Sequence, residues 1–182
     1  MTDNSEDFEL VNKFLNGDEI AFNRIVNKYS KKIYWHARRM TGNHFDADEI
    51  VQEVLMVLYR KLGQFKFNSS LYTYIYKITV TRSLNFIKKE KLKSLFFLDS
   101  KPNSVKNFEA DIISGILNKE KLERLDKQLQ KLPAKQREVF ILRHFEEMSY
   151  EEIAEITGKS IGGLKANYFH ALNKITALMS HD

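Results

Sequence analysis

The sequence contains no cysteine, only two prolines and only seven glycines among its 182 residues. The absence of cysteine excludes disulfide bonds and thiolate metal ligands. Because β-branched alternation is also scarce while Leu, Lys, Glu and Ile recur at helical spacing, the sequence predicts an all-α fold. No apolar run approaches the length of a membrane span, and the first residues, MTDNSEDFEL, are acidic where a secretory signal would be basic. We therefore expect a cytoplasmic protein with no membrane span of its own.

The net charge of +5 is unevenly distributed along the chain. Residues 20–45 carry six Lys and Arg residues and no acidic residue. Residues 71–93 carry six Lys and Arg residues and a single acidic residue, Glu90. From Pro133 onward, six bases are balanced by seven acids. The basic surface is therefore expected mainly in the N-terminal half, where it would suit a nucleic-acid partner.

Four amphipathic helices are predicted in the N-terminal half. One begins after Asp18 and runs to about Met40, and the next is predicted to begin at Asp46, whose side chain would form a capping box with Glu49. At the start of the helix predicted to begin at Asp46, Phe45 and Ile50 would form the hydrophobic staple.

A polar and aromatic loop, GQFKFNSS, precedes the fourth predicted helix, LYTYIYKITVTRSLNFIKKEKLK. This helix carries Tyr72, Tyr74 and Tyr76, which point to different faces, so at least one ring is expected to be exposed near the loop. Exposed rings among Lys and Arg form a surface on which unstacked bases can stack. For Tyr74, burial in the core is the favoured interpretation.

The stretch PAKQREVFILRHFEEMSYEEIAEITGKSIGGLKANYFHALNKI, from Pro133 to Ile175, has the pattern of a helix-turn-helix unit. Ser149 and Glu152 would form a capping box, and Gly158 would end the short helix in the left-handed conformation. Ser160 would cap the following helix and Leu164 would face inward, so the exposed start of that helix would enter a major groove. A purely structural helix pair remains the alternative on this motif alone.

Between the two halves, LFFLDSKPNSVKN shows no sustained period and predicts a linker, which Leu95, Phe96, Phe97 and Leu98 would pin to a surface or dock into a partner. We predict two small helical domains, 1–93 and 116–182, joined by a linker at 94–115. The five histidines show no zinc or nucleophile spacing and no Gly-rich phosphate loop occurs, so neither an enzyme, a metal nor a cofactor is expected.

With both halves considered, the chain resembles the extracytoplasmic-function (ECF) group of bacterial RNA polymerase sigma factors. The resemblance is carried in chain order by NGDEIAFNRIVNKY, DADEIVQEVLMVLYRKLGQF, FNSSLYTYIYKITVTRSLNFIKK and the Pro133 to Ile175 stretch. It implies that domain 1–93 binds core polymerase and reads the minus-ten element, while domain 116–182 reads the minus-thirty-five element. The implied function is to direct polymerase to promoters and help melt the minus-ten region. The implied partners are core RNA polymerase, promoter DNA as duplex and as melted non-template strand, and an anti-sigma factor.

The resemblance also implies roles for individual residues. Polymerase docking would fall to Asp48, Glu49, Gln52, Glu53 and Met56. Minus-ten contacts would come from the loop and the helix after it, namely Phe65, Lys66, Phe67, Asn68, Ser69, Ser70, Tyr72, Lys77, Thr81 and Arg82. Minus-thirty-five contacts would come from Lys159, Ser160, Gly163, Lys165, Asn167 and His170.

Several positions depart from the family pattern. Tyr74 stands where Trp is usual, Thr81 where Asn is common, and Asn167 and His170 where Arg is frequent. With few cations on its recognition helix, the isolated protein is expected to bind promoter duplex poorly unless tethered to polymerase. The alternatives are a stand-alone helix-turn-helix repressor or activator, which would dimerise on a palindrome, and a decoy that occupies polymerase without starting transcription.

Overall fold

The computed structural model describes residues 4–96 and 116–180, and all regular structure in these ranges is helical. The predicted all-α class is confirmed. The described ranges contain eight α-helices: α1 Asn4–Leu15, α2 Glu19–Thr41, α3 His44–Lys61, α4 Leu71–Phe96, α5 Ile116–Leu129, α6 Ala134–His144, α7 Tyr150–Thr157 and α8 Ile161–Ser180. A single 3₁₀ turn, Leu62–Gln64, follows α3.

Helices α1 to α4 pack around one apolar core, in which Ile25, Ile50, Leu58 and Ile75 are completely buried. Asp7 fixes α1 to α2, because its buried carboxylate accepts hydrogen bonds from the Tyr29 hydroxyl at 2.5 Å and the Lys28 ammonium at 2.6 Å. A buried carboxylate is tolerated only when it is paired in this way.

Helix α2 begins after Asp18, as predicted, and ends one residue beyond the predicted Met40. The Asp18 side chain accepts from the backbone N–H groups of Ile20 and Ala21, which have no partner within the helix. Gly42 ends the helix with a φ of 76°, a conformation that side chains with a Cβ rarely adopt.

The predicted start of α3 was wrong by three residues. Asn43, not Asp46, caps the helix, because its side chain accepts from the Phe45 N–H at 2.8 Å and begins the helix one turn earlier. Asp46 therefore lies within the first turn, where its charge still suits the helix dipole. The predicted staple is also absent at Phe45, whose ring is 74% exposed.

Helices α6, α7 and α8 form the helix-turn-helix unit at the predicted positions. Ser149 and Glu152 form both hydrogen bonds of the capping box, and Gly158 closes α7 with a φ of 68°. The Ser160 hydroxyl accepts from the Gly163 N–H at 3.2 Å, while Leu164 is completely buried against α6 and α7.

The helix-turn-helix unit packs directly against α4 and α2. One apolar cluster joins Tyr76 and Val80 of α4 to Val139, Leu142 and Ile153 of the unit. A second joins Met40 of α2 to α5, α6 and α8. The two halves of the chain are thus in extended contact.

The predicted linker, 94–115, lies mostly outside the described residues. Its first three residues continue α4, and Leu95 and Phe96 are 59% and 82% exposed there. Phe97 and Leu98, the other two residues predicted to pin the linker, lie outside the described ranges.

Candidate nucleic-acid and polymerase interfaces

Helix α3 presents one polar face to solvent. Asp48, Gln52 and Met56 lie four residues apart and therefore align along the helix, with Met56 53% exposed. Glu49 and Glu53 flank this row, Glu49 exposed and Glu53 half-buried. The structure thus brings all five predicted polymerase-binding residues to one side of α3.

The loop between the 3₁₀ turn and α4 divides its residues between core and solvent. Lys66 and Asn68 are exposed, and Phe67 is 36% exposed in the left-handed region with a φ of 57°. The Phe67 ring meets Phe8 of α1 edge to face at 5.1 Å and packs on Phe65 at 4.9 Å between ring centroids, while remaining partly exposed.

Phe65 does not fit its predicted role. Its ring is only 6% exposed and packs on Phe8 at 6.0 Å and on Tyr74 at 5.0 Å between ring centroids. Because the rings of Phe8 in α1 and Tyr74 in α4 cover it, Phe65 supports the loop and offers no free face on which a base could stack. Tyr74, whose hydroxyl donates to the Lys61 carbonyl at 3.1 Å, completes that support.

The last two residues of the loop start α4. The Ser70 hydroxyl accepts from the Thr73 N–H at 3.0 Å and lies 2.9 Å from the Thr73 hydroxyl, so Ser70 acts as the helix cap. Ser69 is half-buried beside it.

Helix α4 separates its predicted DNA contacts onto two faces. Lys77 and Thr81 are exposed one turn apart, and the Thr81 hydroxyl donates to the Lys77 carbonyl at 2.7 Å. Arg82 lies beside them and is 3.8 Å from the Glu53 carboxylate, a partly exposed and therefore weak ion pair. Tyr72 lies on the other face.

None of the three α4 tyrosines is fully exposed, contrary to prediction. Tyr76 is completely buried, and Tyr72 and Tyr74 are half-buried. The reason is that the helix-turn-helix unit covers the face of Tyr72 and Tyr76, while Phe65 covers Tyr74. Burial raises the pKa of the Tyr72 and Tyr76 hydroxyls well above the usual range.

The start of α8 presents the predicted minus-thirty-five residues. Ser160, Gly163, Lys165 and His170 are exposed, and the Asn167 amide donates to the Gly163 carbonyl at 2.8 Å. This hydrogen bond fixes the Asn167 side chain along the surface of α8 and leaves its side-chain oxygen, Oδ1, as a hydrogen-bond acceptor.

Lys159 differs from the other predicted minus-thirty-five residues. Its ammonium donates to the Glu138 carboxylate at 2.8 Å, and Glu138 is 1% exposed. Burial raises the pKa of Glu138, while Lys159 opposes that shift. Since removal of Lys159 would leave the buried Glu138 carboxylate without its ion-pair partner, Lys159 has a structural role in joining α6 to the turn before α8.

The structure adds residues that sequence analysis missed. Tyr150 lies between two cations, with the Arg143 guanidinium 5.2 Å and the Lys165 ammonium 5.7 Å from its ring centroid. Lys32 of α2 lies 5.1 Å from the Tyr72 ring centroid. No periodicity within one helix indicates these pairs, because each joins residues of two different helices.

In the described part of the chain, no helix is long and apolar enough to cross a membrane. No group of three or more His, Asp and Glu side chains among these residues could hold a metal ion.

Two family patterns match the two halves. The pattern described as Sigma-70 region 2 matches residues 25–92, from α2 to α4, and that described as Sigma-70, region 4 matches residues 122–175, from α5 to α8. The fold and these matches define a two-domain, helix-turn-helix factor of transcription initiation.

Comparison with known proteins identifies the family within this class. The chain is 30% identical to the ECF RNA polymerase sigma factor SigW of Bacillus subtilis over 158 residues, covering 82% of this chain and 83% of SigW. It is 28% identical to the ECF RNA polymerase sigma-E factor of Escherichia coli K12 over 183 residues, covering 96% and 95%. The chain belongs to the ECF RNA polymerase sigma factors, which direct RNA polymerase to promoters, and the stand-alone repressor or activator is not favoured.

The solved structures agree in fold. The sigma factor RpoE of Bartonella quintana, in complex with the anti-sigma factor NepR, superposes with a TM-score of 0.74 at 25% identity, covering 88% of this chain and 98% of RpoE. CnrH, in complex with the cytosolic domain of CnrY, superposes with a TM-score of 0.73 at 20% identity, covering 97% and 99%.

Proposed function

We propose that the exposed face of α3 is the surface through which this sigma factor docks on core polymerase. The supporting observation is the aligned row of Asp48, Gln52 and Met56, an exposed methionine within an acidic rim. An exposed apolar side chain surrounded by charge is the composition of a protein interface with a small buried centre.

The minus-ten element is captured by the loop and by the exposed side of α4. Phe67 provides a ring held edge to face by Phe8, and Lys66, Lys77 and Arg82 provide cations for the strand phosphates. Extrusion of a base costs a few kcal/mol. Stacking on an aromatic ring, worth about 1–3 kcal/mol per base, can offset that cost.

The minus-thirty-five element is read by the start of α8. Lys165 and Asn167 contact base edges, and His170 and Ser160 contact the backbone. Arg143 and Tyr150 sit beside Lys165, so this end of the unit presents two cations around one ring.

Both DNA-binding regions bind their promoter elements tightly only when the protein is docked on polymerase. Once α3 is docked, the two DNA-binding regions are tethered, and each binds its element at high effective concentration. The protein acts in the cytoplasm, without catalysis of its own. An anti-sigma factor is a further expected partner, since the solved relatives RpoE and CnrH were each captured with another protein.

Transcription in vitro from a promoter library tests the proposal. Core polymerase is assayed with and without the purified protein, and transcripts that share an upstream motif are expected only when it is present. A complete absence of new transcripts, together with measurable binding to core, would identify a decoy and contradict the proposal.

The docking surface is tested separately with Met56→Ala. Truncation of this exposed side chain is expected to weaken binding to core polymerase about tenfold, as for a central interface residue, without loss of fold. Ile20→Ala is the matched control, because Ile20 is 65% exposed on α2 and lies outside the proposed surface. Equal affinities of the two variants for core would contradict docking through α3.

A further inference from the structure

The loop before α4 has an unusual backbone conformation at Phe67. Its φ of 57° lies in the left-handed region, where the Cβ of any residue other than glycine comes too close to the following carbonyl oxygen. In the described ranges, Glu147 is the one other non-glycine residue with a positive φ. A bulky residue keeps this conformation only where its surroundings stabilise it, and such positions concentrate at functional sites.

Two other rings surround Phe67. Phe65 lies 4.9 Å from it between ring centroids, and Phe8 of α1 meets it edge to face at 5.1 Å. Phe8 also contacts Phe65, at 6.0 Å, so the three rings touch one another, and Phe8 is the one that comes from outside the loop. Because aromatic pairs prefer particular angles, the edge-to-face contact with Phe8 constrains the orientation of the Phe67 ring as well as its position.

Helix α1 is firmly attached to the rest of the N-terminal half at this point. The residue before Phe8 is Asp7, whose buried carboxylate accepts hydrogen bonds from Tyr29 and Lys28 of α2. One turn after Asp7, Val11 is completely buried in the core. Since α1 is anchored on both sides of Phe8, the Phe8 ring is a fixed support against which the loop packs.

The support matters because the Phe67 ring is still 36% exposed and lies between the exposed side chains of Lys66 and Asn68. A ring that turned freely would have to be ordered when a base stacks on it, and that ordering would weaken binding. A ring already held in one orientation avoids this loss. Removal of Phe8 would free the Phe67 ring and remove a contact that stabilises its left-handed backbone.

We infer that Phe8 is a positioning residue for base capture, which holds Phe67 from α1 in the orientation that receives the extruded base of the minus-ten element. This role rests on the proposed capture of a base by the loop. Phe8 acts through Phe67 and needs no contact with DNA of its own. The minus-ten machinery then includes α1, a helix that precedes residues 25–92, the range matched by the Sigma-70 region 2 pattern.

A matched pair of variants on α1 tests this role. Phe14 is half-buried like Phe8 but packs on Phe22 and Tyr59, at 5.1 and 5.3 Å. Promoter opening by holoenzyme, at saturating core polymerase and DNA, is measured by permanganate reactivity. Phe8→Ala is expected to slow opening about fivefold, within the range that an edge-to-face ring pair contributes, and Phe14→Ala to open at nearly the parent rate. Equal slowing by both variants would mean that α1 packing alone is responsible, and the inference would be wrong.

A double variant tests whether Phe8 acts through Phe67. In the Phe67→Ala background, Phe8→Ala is expected to cause no further slowing, because the ring that Phe8 positions is already absent. The same fold-change in both backgrounds would show that Phe8 acts independently of Phe67 and would overturn the inference.

Phe8→Leu guards against loss of fold in the alanine variant. Leucine keeps an apolar side chain of similar size in the core but lacks the aromatic edge, so the variant is expected to fold and to slow opening about twofold or more. Opening at the parent rate would contradict the positioning role.

Fluorine NMR reports the position of the ring without DNA. With para-fluorophenylalanine in place of Phe67 in the full chain, the neighbouring rings shift the fluorine resonance away from its value in the unfolded protein. Phe8→Ala is expected to move the resonance toward the unfolded value, whereas Phe14→Ala leaves it in place. A resonance that does not respond to Phe8→Ala would refute the positioning.

Failure of base capture itself would give a different pattern. If Phe67→Ala opens promoters as fast as the parent while the fluorine resonance still responds to Phe8→Ala, the ring is positioned but captures no base, and both the loop function and the role of Phe8 are overturned. If opening depends on Phe67 but not on Phe8, base capture stands and only the role of Phe8 is wrong.

Discussion

The two helices proposed to bind DNA differ sharply in charge. Helix α4 carries six Lys and Arg residues and one acidic residue, Glu90. Helix α8 carries two lysines, Lys165 and Lys174, and no acidic residue. Long-range attraction to phosphates scales with this count, so α4 and its loop supply most of the electrostatic affinity. Helix α8 instead offers a small set of polar groups at its start, which suits the reading of base edges once the protein is already positioned.

The difference predicts that removal of α4 cations is the most damaging surface change. The double variant Lys77→Ala, Arg82→Ala is expected to lower promoter opening by the holoenzyme about 100-fold, since two charge-assisted phosphate contacts are lost. The slope of log affinity against log salt should become shallower by about two. Measurement is by open-complex formation over a range of salt concentrations.

Lys127→Ala with Lys135→Ala provides the control, because both lysines are exposed, on α5 and α6, and neither belongs to α4 or the loop before it. An equal loss in the control would mean that net charge alone, and not the α4 surface, supports DNA binding.

The place where the two regions meet contains a buried titratable group. His36 of α2 is completely buried beside the Tyr76 ring, and neither ring nitrogen has a hydrogen-bond partner among the described residues. Burial, with a smaller contribution from the Arg39 charge, lowers the pKa of His36 from 6.5 to about 3. The folded protein therefore keeps His36 neutral at pH values where the unfolded chain protonates it.

The sign of the pH dependence follows. Stability from neutral His36 is complete above pH 6.5 and falls as the pH decreases, because only the unfolded state takes up the proton. Between pH 6.5 and 5 the free energy of unfolding should fall by about 2 kcal/mol on this account. Urea titrations at the two pH values measure it. His36→Gln should lose this pH dependence, whereas His144→Gln, an exposed control, should retain it.

Local chemistry was enough to predict most of the helix boundaries. The Ser149 and Glu152 capping box and the left-handed Gly158 are formed by neighbours in sequence and are confirmed, as is the start of α2 after Asp18. At α3 two acceptors, Asn43 and Asp46, competed, and the earlier one caps the helix.

The burial of aromatic residues could not be predicted in the same way. Tyr72 and Tyr76 are covered by residues about 70 positions away, such as Glu146, and no periodicity within α4 indicates that contact. Phe65 and Phe67 are two residues apart in the same loop and both contact Phe8 of α1, but only Phe65 also packs on Tyr74 of α4, a contact that the loop sequence does not indicate.

Substitution of Phe67 tests whether the loop before α4 captures a base by stacking. Phe67→Ala is expected to slow promoter opening about tenfold while leaving duplex binding unchanged, because stacking with one base is worth about 1–3 kcal/mol. The control is Phe45→Ala, which removes an even more exposed ring outside the loop. Permanganate reactivity of the melted bases measures opening, and an equal effect of both variants would contradict base capture by the loop.

The smallest expected effect comes from adding charge to α8. Asn167→Arg places a cation at the start of the helix proposed to read the duplex, and the free protein should then bind promoter duplex a few-fold more tightly with a salt slope steeper by about one. Asn173→Arg adds the same charge to an exposed position almost two turns further along α8 and should bind no better than the parent. Because the two variants have the same net charge, only the position of the cation differs between them. If both variants gain the same affinity for promoter duplex, the low affinity of α8 is due to its overall charge. If only Asn167→Arg gains affinity, the position of the cation matters, and the start of the helix contacts the DNA as proposed.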